Sequence, residues 1–170
     1  MSPPPAKRSF PTEADLVRSF VSGLGARNSP WGTLEIATEW DYRTGITDVL
    51  ARNVRGELIA FEAKLTDWRR AVHQAYRNTT FAQKAYVVLP SAVAVKAAHA
   101  ADVFGRYKVG LCSVDDACIN VLIEAPHNEV LIPWLRARAT TFFDDGSRNQ
   151  QARASSTDRR TNLRSDRCVA

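Results

Sequence analysis

The sequence predicts a mixed α/β fold in which helices flank both faces of a central β-sheet. Apolar residues repeat at helical spacing in some segments, and short apolar or alternating runs typical of strands lie between those segments. Helical and strand segments that alternate along the chain are typical of domains in which helices cover both faces of the sheet. The 170 residues, 45% of them hydrophobic, suffice for one domain with a buried core.

The first element is predicted to be a helix that begins after Thr12. Thr12 and Asp15 have the spacing of a capping box, in which each side chain bonds to the backbone of the first turn. Apolar residues then repeat at helical spacing as far as Leu24. Gly23 and Gly25 are expected to end the helix.

Three strands are predicted to follow this helix. The second and third are separated by the segment Asn53–Gly56, which is typical of a short hairpin turn with Gly56 at the positive-φ position. The three predicted strands span residues 34–42, 46–53 and 57–65.

The rest of the body is predicted to continue the alternation. Asp67 caps a helix that extends to about Ala82, and an alanine-rich helix occupies residues 91–106. Residues 129–143 are ambiguous and are expected to be helical around Pro133. The remaining predicted strands are residues 84–90, 109–114 and 119–124.

The two termini differ from the body in composition. Residues 147–170 contain six arginines against two aspartates and almost no apolar side chain, so they are predicted to be a basic, disordered tail. Such a tail either raises the affinity for nucleic acid non-specifically or only solubilises the terminus. Residues 1–9 are predicted to be a disordered lead, which leaves residues 10–146 as the domain.

Several classes of protein are excluded by composition. No run of 18 apolar residues could span a membrane, and the N-terminal residues lack the apolar core of a signal peptide. A cytoplasmic protein is therefore expected. The three cysteines show no paired spacing typical of a zinc site.

Asp48, Glu62 and Lys64 form the arrangement most informative about function. If Val54–Gly56 is a three-residue loop, the numbers of opposed residues sum to 110, so Asp48 faces Glu62 across the hairpin. Directly opposed Cβ atoms lie about 4.5–5.5 Å apart. Lys64 follows Glu62 by two residues and projects from the same face.

Two opposed carboxylates repel each other, and the apolar neighbours of Glu62 predict a buried strand, which increases that cost. A divalent cation offsets the repulsion, because hard cations prefer carboxylate oxygens. With Lys64 beside it, the arrangement suits metal-assisted hydrolysis of a phosphodiester. An ordinary charged outer face of an edge hairpin would show the same alternation.

Asp48, thirteen intervening residues and then Glu62-Ala63-Lys64 resemble the signature of the PD-(D/E)XK nuclease superfamily, which has the restriction-endonuclease-like fold. The order of the elements over residues 12–115 is also similar to that fold. Thr47 stands where the family has a proline. Residues 116–146 have no counterpart that we can place.

The resemblance implies a role for each matching residue. Asp48, Glu62 and the backbone carbonyl of Ala63 would bind Mg²⁺ or Mn²⁺. Lys64 would orient or deprotonate the attacking water.

The resemblance also implies two supporting residues outside the hairpin. Glu13, in the first helix, would hold a metal-bound water or a second ion. Gln74, in the helix after the motif, would position Lys64 or contact the phosphate.

The helix that contains Gln74 carries further candidates. Arg70, Gln74 and Arg77 share one face at helical spacing, and such a polar stripe beside the site could hold phosphates. Arg69 flanks the stripe, and Arg43 lies in the loop before Asp48. A solvated helix face would explain the same arginines.

The sequence thus predicts a magnesium-dependent nuclease that acts on nucleic acid, more on DNA than on RNA, in repair, recombination, restriction or phage defence. A catalytically idle subunit that binds nucleic acid or docks a protein is the first alternative, and a toxin or effector nuclease acting on RNA is the second. Because residues 1–146 carry little net charge, action as a homodimer or with a partner subunit is also expected.

Overall fold

The computed structural model describes residues 10–27 and 29–146. The chain divides into two compact units, residues 1–136 and 137–170. The described part of the second unit, residues 137–146, is helical. The predicted lead (1–9) and the predicted basic tail (147–170) lie outside the described residues.

The first unit is built on one six-stranded mixed sheet whose strands lie side by side in sequence order. Neighbouring strands are antiparallel except for the two central pairs, β3–β4 and β4–β5, which are parallel. The strands are β1 (Leu34–Asp41), β2 (Ile46–Asn53), β3 (Leu58–Ala63), β4 (Lys84–Pro90), β5 (Gly110–Asp115) and β6 (Cys118–Ile123). All six strands were predicted, to within two residues at either end.

The helices follow the predicted order with two corrections. The helix after Asp67 ends at Asn78 rather than near Ala82, and Thr79 forms its C-cap. The predicted alanine-rich helix is two helices, because the backbone leaves the helical conformation at Ala100 (φ −101°, ψ 42°), and both halves bury small or aromatic side chains against one sheet face. The helices are α1 (Glu13–Leu24), α2 (Trp68–Asn78), α3 (Ser91–Ala98), α4 (Ala101–Tyr107) and α5 (133–146).

Helices cover both faces of the sheet, which confirms the predicted fold class. Leu16 and Phe20 of α1 pack on one face, in a cluster that includes Phe61 of β3 and Tyr86 of β4. The apolar residues of α2, α3 and α4 pack on the other face. The central strands are therefore buried on both sides, which explains their continuous apolar composition.

The β2–β3 hairpin has the predicted turn and register. Gly56 has a φ of 77°, and its amide donates to the carbonyl of Asn53 over 2.9 Å. The paired residues run from Val49↔Phe61 to Arg52↔Leu58, so their numbers sum to 110 as predicted.

Thr12 caps α1 as predicted, and its side chain accepts a hydrogen bond from the amide of Asp15. This cap fixes the start of the helix and so the position of Glu13 in its first turn. None of the helices within the described residues is long and apolar enough to cross a membrane.

Candidate active site

Asp48 and Glu62 lie next to each other where β2 and β3 stop pairing. The regular ladder ends at Val49↔Phe61, one position before them. In a continued ladder the amide of Ala63 would bond to the carbonyl of Thr47. Instead that amide donates to Oδ2 of Asp48 over 2.8 Å, so the carboxylate is held against the end of β3.

Glu62 is almost completely buried, with 1% of its surface exposed. Its Oε1 accepts a hydrogen bond of 2.6 Å from the side-chain amide of Asn78, on α2. Asn78 in turn accepts a hydrogen bond from the hydroxyl of Thr47 over 3.2 Å. The second oxygen of Glu62, Oε2, is buried and accepts no hydrogen bond from a described residue, so when Glu62 is protonated its proton is shared with the neighbouring carboxylate of Asp48.

The protonation of Glu62 follows from this environment. Burial is the main cause, and the charge of Asp48 the second, of a rise in the pKa of Glu62 to about 8. The hydrogen bond from Asn78 and the charge of Lys64 act in the opposite direction. Near neutral pH and without a bound cation, Glu62 is therefore mostly protonated.

Lys64 lies directly after β3 and is paired with Glu13. Its Nζ is 2.8 Å from Oε2 of Glu13, and only 17% of the Lys64 side chain is exposed. Glu13 itself is half exposed. The pair joins the first turn of α1 to the end of β3, and it holds the ammonium group beside the two carboxylates.

A cleft of about 440 Å³ gives access to Asp48 from the side of α1. Glu13 and Val17 form part of one wall, and Thr38 and Glu39 of β1 form part of the other. Glu39 lies across from Asp48, between the pairs Thr38↔Val49 and Trp40↔Thr47, and it has a φ of 52°. This cleft is open to solvent and is therefore a route by which a ligand would reach Asp48.

Comparison with known proteins identifies the fold and no more. No protein-family model matches this chain, and no curated protein sequence matches it. The chain is similar in structure to SPO1766, a protein of unknown function from Silicibacter pomeroyi, with a TM-score of 0.60. The two sequences are 16% identical over a match that covers 86% of this chain and 94% of the other. Structural similarity at this level of sequence identity shows only that the two proteins share a fold.

The remaining candidates on α2 lie in different surroundings. Gln74 is half-buried, and its Oε1 has no hydrogen-bond partner within the described part of the chain. Lys64 bonds to Glu13, so the predicted contact between Gln74 and Lys64 stays a prediction. Arg70 is exposed, whereas Arg77 lines a separate groove beside Tyr42.

The two other arginine candidates are exposed. The guanidinium carbon of Arg69 lies 4.3 Å from the centroid of the Trp68 ring, and this contact favours a role in covering that ring. Arg43 has a φ of 73° in the β1–β2 loop, and its amide donates to Asp41 over 2.6 Å. Their predicted role in binding nucleic acid is untested.

Sequence reasoning missed Asn78, the residue that contacts Glu62. The signal was present, because Asn78 follows Ala71 and Ala75 at helical spacing and is a polar residue on the buried face of α2. It also missed Glu39, because nothing in the strand pattern indicates a positive φ there.

Within the described residues, no three His, Cys, Asp or Glu side chains are grouped so as to hold a metal ion by themselves. The ligand set that the sequence predicts does not require three, since it combines two carboxylates with the carbonyl of Ala63. The buried Oε2 of Glu62 beside the Asp48 carboxylate fits a hard cation, because such a cation binds carboxylate oxygen and offsets like charge.

Proposed function

We propose that this protein is a metal-dependent nuclease of the PD-(D/E)XK type that hydrolyses the backbone of nucleic acid, DNA rather than RNA. The observation that carries the proposal is the buried Glu62 beside Asp48: Oε2 of Glu62 accepts no hydrogen bond from a described residue, and the charge of Asp48 raises the pKa of Glu62. A buried carboxyl oxygen without a donor costs free energy unless a proton or a bound cation satisfies it.

Asp48, Glu62 and the Ala63 carbonyl are the groups that would hold Mg²⁺ or Mn²⁺. A bound ion would supply positive charge to the phosphate as negative charge develops on its oxygens. The protein's own contribution is to fix the two carboxylates, Asp48 through the amide of Ala63 and Glu62 through Asn78.

Lys64 is the residue that would act on the water. Water would attack the phosphorus and form a new P–O bond while the bond to the leaving sugar oxygen breaks; the attacking water would lose its proton to solvent and the leaving oxygen would take one from solvent, so that the products are a phosphomonoester and a free hydroxyl. The ammonium group would orient that water and stabilise the negative charge of the transition state. Glu13 holds Lys64 in the ground state, which makes Glu13 a positioning residue.

Cleavage of labelled DNA and RNA, single- and double-stranded, with Mg²⁺, with Mn²⁺ and with EDTA tests the proposal. The matched variant is Asp48→Asn, which removes the charge but keeps an oxygen that can accept from Ala63. We expect wild-type cleavage that requires a divalent ion, and none by the variant. Cleavage that persists in EDTA or in Asp48→Asn would contradict the assignment. Preference for RNA would instead favour an RNA-directed nuclease.

A subunit that binds nucleic acid without cleaving it is the second candidate. It is favoured by the raised pKa of Glu62, because a carboxyl that is protonated at neutral pH is a poor ligand for a cation. This candidate predicts binding that is indifferent to EDTA, and no cleavage under any of these conditions.

A further inference from the structure

A second concave surface lies apart from the cleft at Asp48, and we call it the basic groove. It has a volume of about 590 Å³ and lies between the ends of α2 and α4 and the segment 128–135. Three cations line it: Arg77, Arg106 and Lys108. Glu129 is its one acidic lining residue. None of the three cations forms an ion pair with any described residue.

The walls of the basic groove are fixed by hydrogen bonds. The amide of Asn128 donates to the carbonyl of Gln83 over 2.7 Å, and the amide of Leu131 donates to that of Thr80 over 2.9 Å. The side chain of Asn128 also donates to the carbonyl of Lys108 over 3.2 Å. The segment after β6 is thus attached to the loop before β4, and the groove is preformed.

The groove offers apolar surface beside its cations. Tyr76 is 49% exposed and Leu131 is 70% exposed, and both side chains line it. Cations combined with an exposed aromatic ring are typical of surfaces that bind single-stranded nucleic acid, because the phosphate meets the charge and the base stacks on the ring. Its volume is in the range of pockets for small ligands, which suits one unit of a strand better than a duplex.

Tyr42 connects the basic groove to the Asp48–Glu62 pair. Tyr42 lines the groove and is 8% exposed. Burial raises the pKa of the Tyr42 hydroxyl, the charge of Arg77 lowers it and that of Glu62 raises it. The Tyr42 hydroxyl is therefore within range of the charges of both Arg77 and Glu62.

We propose that the basic groove binds one nucleotide unit of a single nucleic-acid strand. The phosphate lies among Arg77, Arg106 and Lys108, and the base packs against Tyr76 and Leu131. This inference rests on the proposed function in one respect, namely that the ligand is nucleic acid. It assigns a role to residues 128–135, part of the segment 116–146 for which the resemblance to the nuclease superfamily offers no counterpart.

Fluorescence anisotropy of a short labelled oligothymidylate, titrated with the full-length protein in EDTA, tests the inference without any need for cleavage. The test variant is Arg106→Gln with Lys108→Gln. The control is Arg55→Gln with Lys96→Gln, which removes the same charge from exposed positions outside the groove. We expect the test variant to bind about tenfold more weakly and its salt dependence to flatten by about 0.7 in log–log slope, since the groove holds one phosphate and each neutralised phosphate of a single strand contributes about 0.7. The control is expected to bind like wild type.

Three results would each overturn the groove assignment. The test and control variants could lose affinity for the oligonucleotide equally, the test variant could bind it like wild type, or the wild type could fail to bind it. Full displacement of the oligonucleotide by thymidine monophosphate at equal concentration would assign the groove to free nucleotides, which also overturns it. Cleavage is measured separately. If the wild type cleaves and the groove variant binds the oligonucleotide as tightly as wild type does, only the groove inference is lost. If the groove variant loses binding but the wild type does not cleave under any condition, only the nuclease proposal is lost.

Discussion

The side-chain amide of Asn78 donates a hydrogen bond of 2.6 Å to Oε1 of Glu62, whereas Oε2 of the same carboxyl is buried and accepts no hydrogen bond from a described residue. The bond joins α2 to the end of β3 and restricts the rotation of the carboxyl. One oxygen is therefore used to orient the group, and the other remains for a ligand beside Asp48.

Replacement of Asn78 by alanine should weaken metal binding. Loss of the hydrogen bond raises the pKa of Glu62 further, since Asn78 lowers it, and the carboxyl loses its orientation. The buried oxygen of Glu62 also loses a partner, so the free energy of unfolding should fall by about 1–3 kcal/mol. Calorimetric titration with Mn²⁺ and thermal melts measure the two effects. Asn120→Ala, at an exposed position on β6, is the control. Unchanged Mn²⁺ affinity in Asn78→Ala would remove Asn78 from the site.

The stability of the metal-free protein should depend on pH through Glu62. Because its pKa is about 8 in the folded protein against 4.5 for the ordinary group, the folded state keeps a proton that the unfolded chain releases. That stabilisation is complete below about pH 4.5 and is lost as the pH rises to about 8, with a slope of up to about 1.4 kcal/mol per pH unit. Urea unfolding in EDTA between pH 5.5 and 8.5 measures it.

Glu62→Gln is the matched variant for that slope, because it is neutral at every pH and nearly isosteric. The difference in unfolding free energy between wild type and variant isolates Glu62 from the other titrating groups. Parallel curves for the two proteins would show that Glu62 is ionised in both states and that its surroundings have been misread.

Lys64→Ala and Glu13→Gln should separate catalysis from positioning. Loss of the Lys64 ammonium removes the group that acts on water, and we expect cleavage to fall by about 10²–10⁴-fold. Glu13→Gln removes only the charge that holds Lys64, so a smaller loss is expected. Both variants should bind Mn²⁺ like wild type at pH 9, where Glu62 is ionised. Cleavage by Lys64→Ala at the wild-type rate would exclude the role proposed for the lysine.

Deletion of residues 147–170 should leave the thermal melt unchanged, because the segment has almost no apolar side chains to bury. If the tail contributes to binding nucleic acid, truncation should lower the affinity mainly at low salt. A large decrease in melting temperature would show that the tail packs against the folded part.

The hairpin register is the part of the site that the sequence predicted most sharply. Gly56 marks the turn. Once the turn is located, the two-residue alternation of side chains along a strand determines which residue faces Asp48. Helical spacing places Asn78 on the buried face of α2, but it cannot show that Asn78 contacts Glu62, because that contact depends on where α2 packs against β3. No local residue pattern marks the break between α3 and α4 at Ala100 or the positive φ of Glu39.

The order of the strands could not be predicted from periodicity. Short apolar runs such as residues 84–90 indicate buried strands but not their neighbours. The parallel pairing of β4 with both β3 and β5 follows from the helical crossovers that separate them in sequence.

Calorimetric titration of Mn²⁺ into wild type and Asp48→Asn at pH 7, repeated in two buffers of different ionisation enthalpy, tests the central claim most directly. A metal ligand must be deprotonated, and Glu62 has a pKa of about 8 without metal. We therefore predict that wild type binds Mn²⁺ with release of close to one proton, and that Asp48→Asn binds it far more weakly. If wild type binds no divalent ion, either alone or with nucleic acid present, the Asp48–Glu62 pair is not a metal centre and the nuclease proposal is wrong.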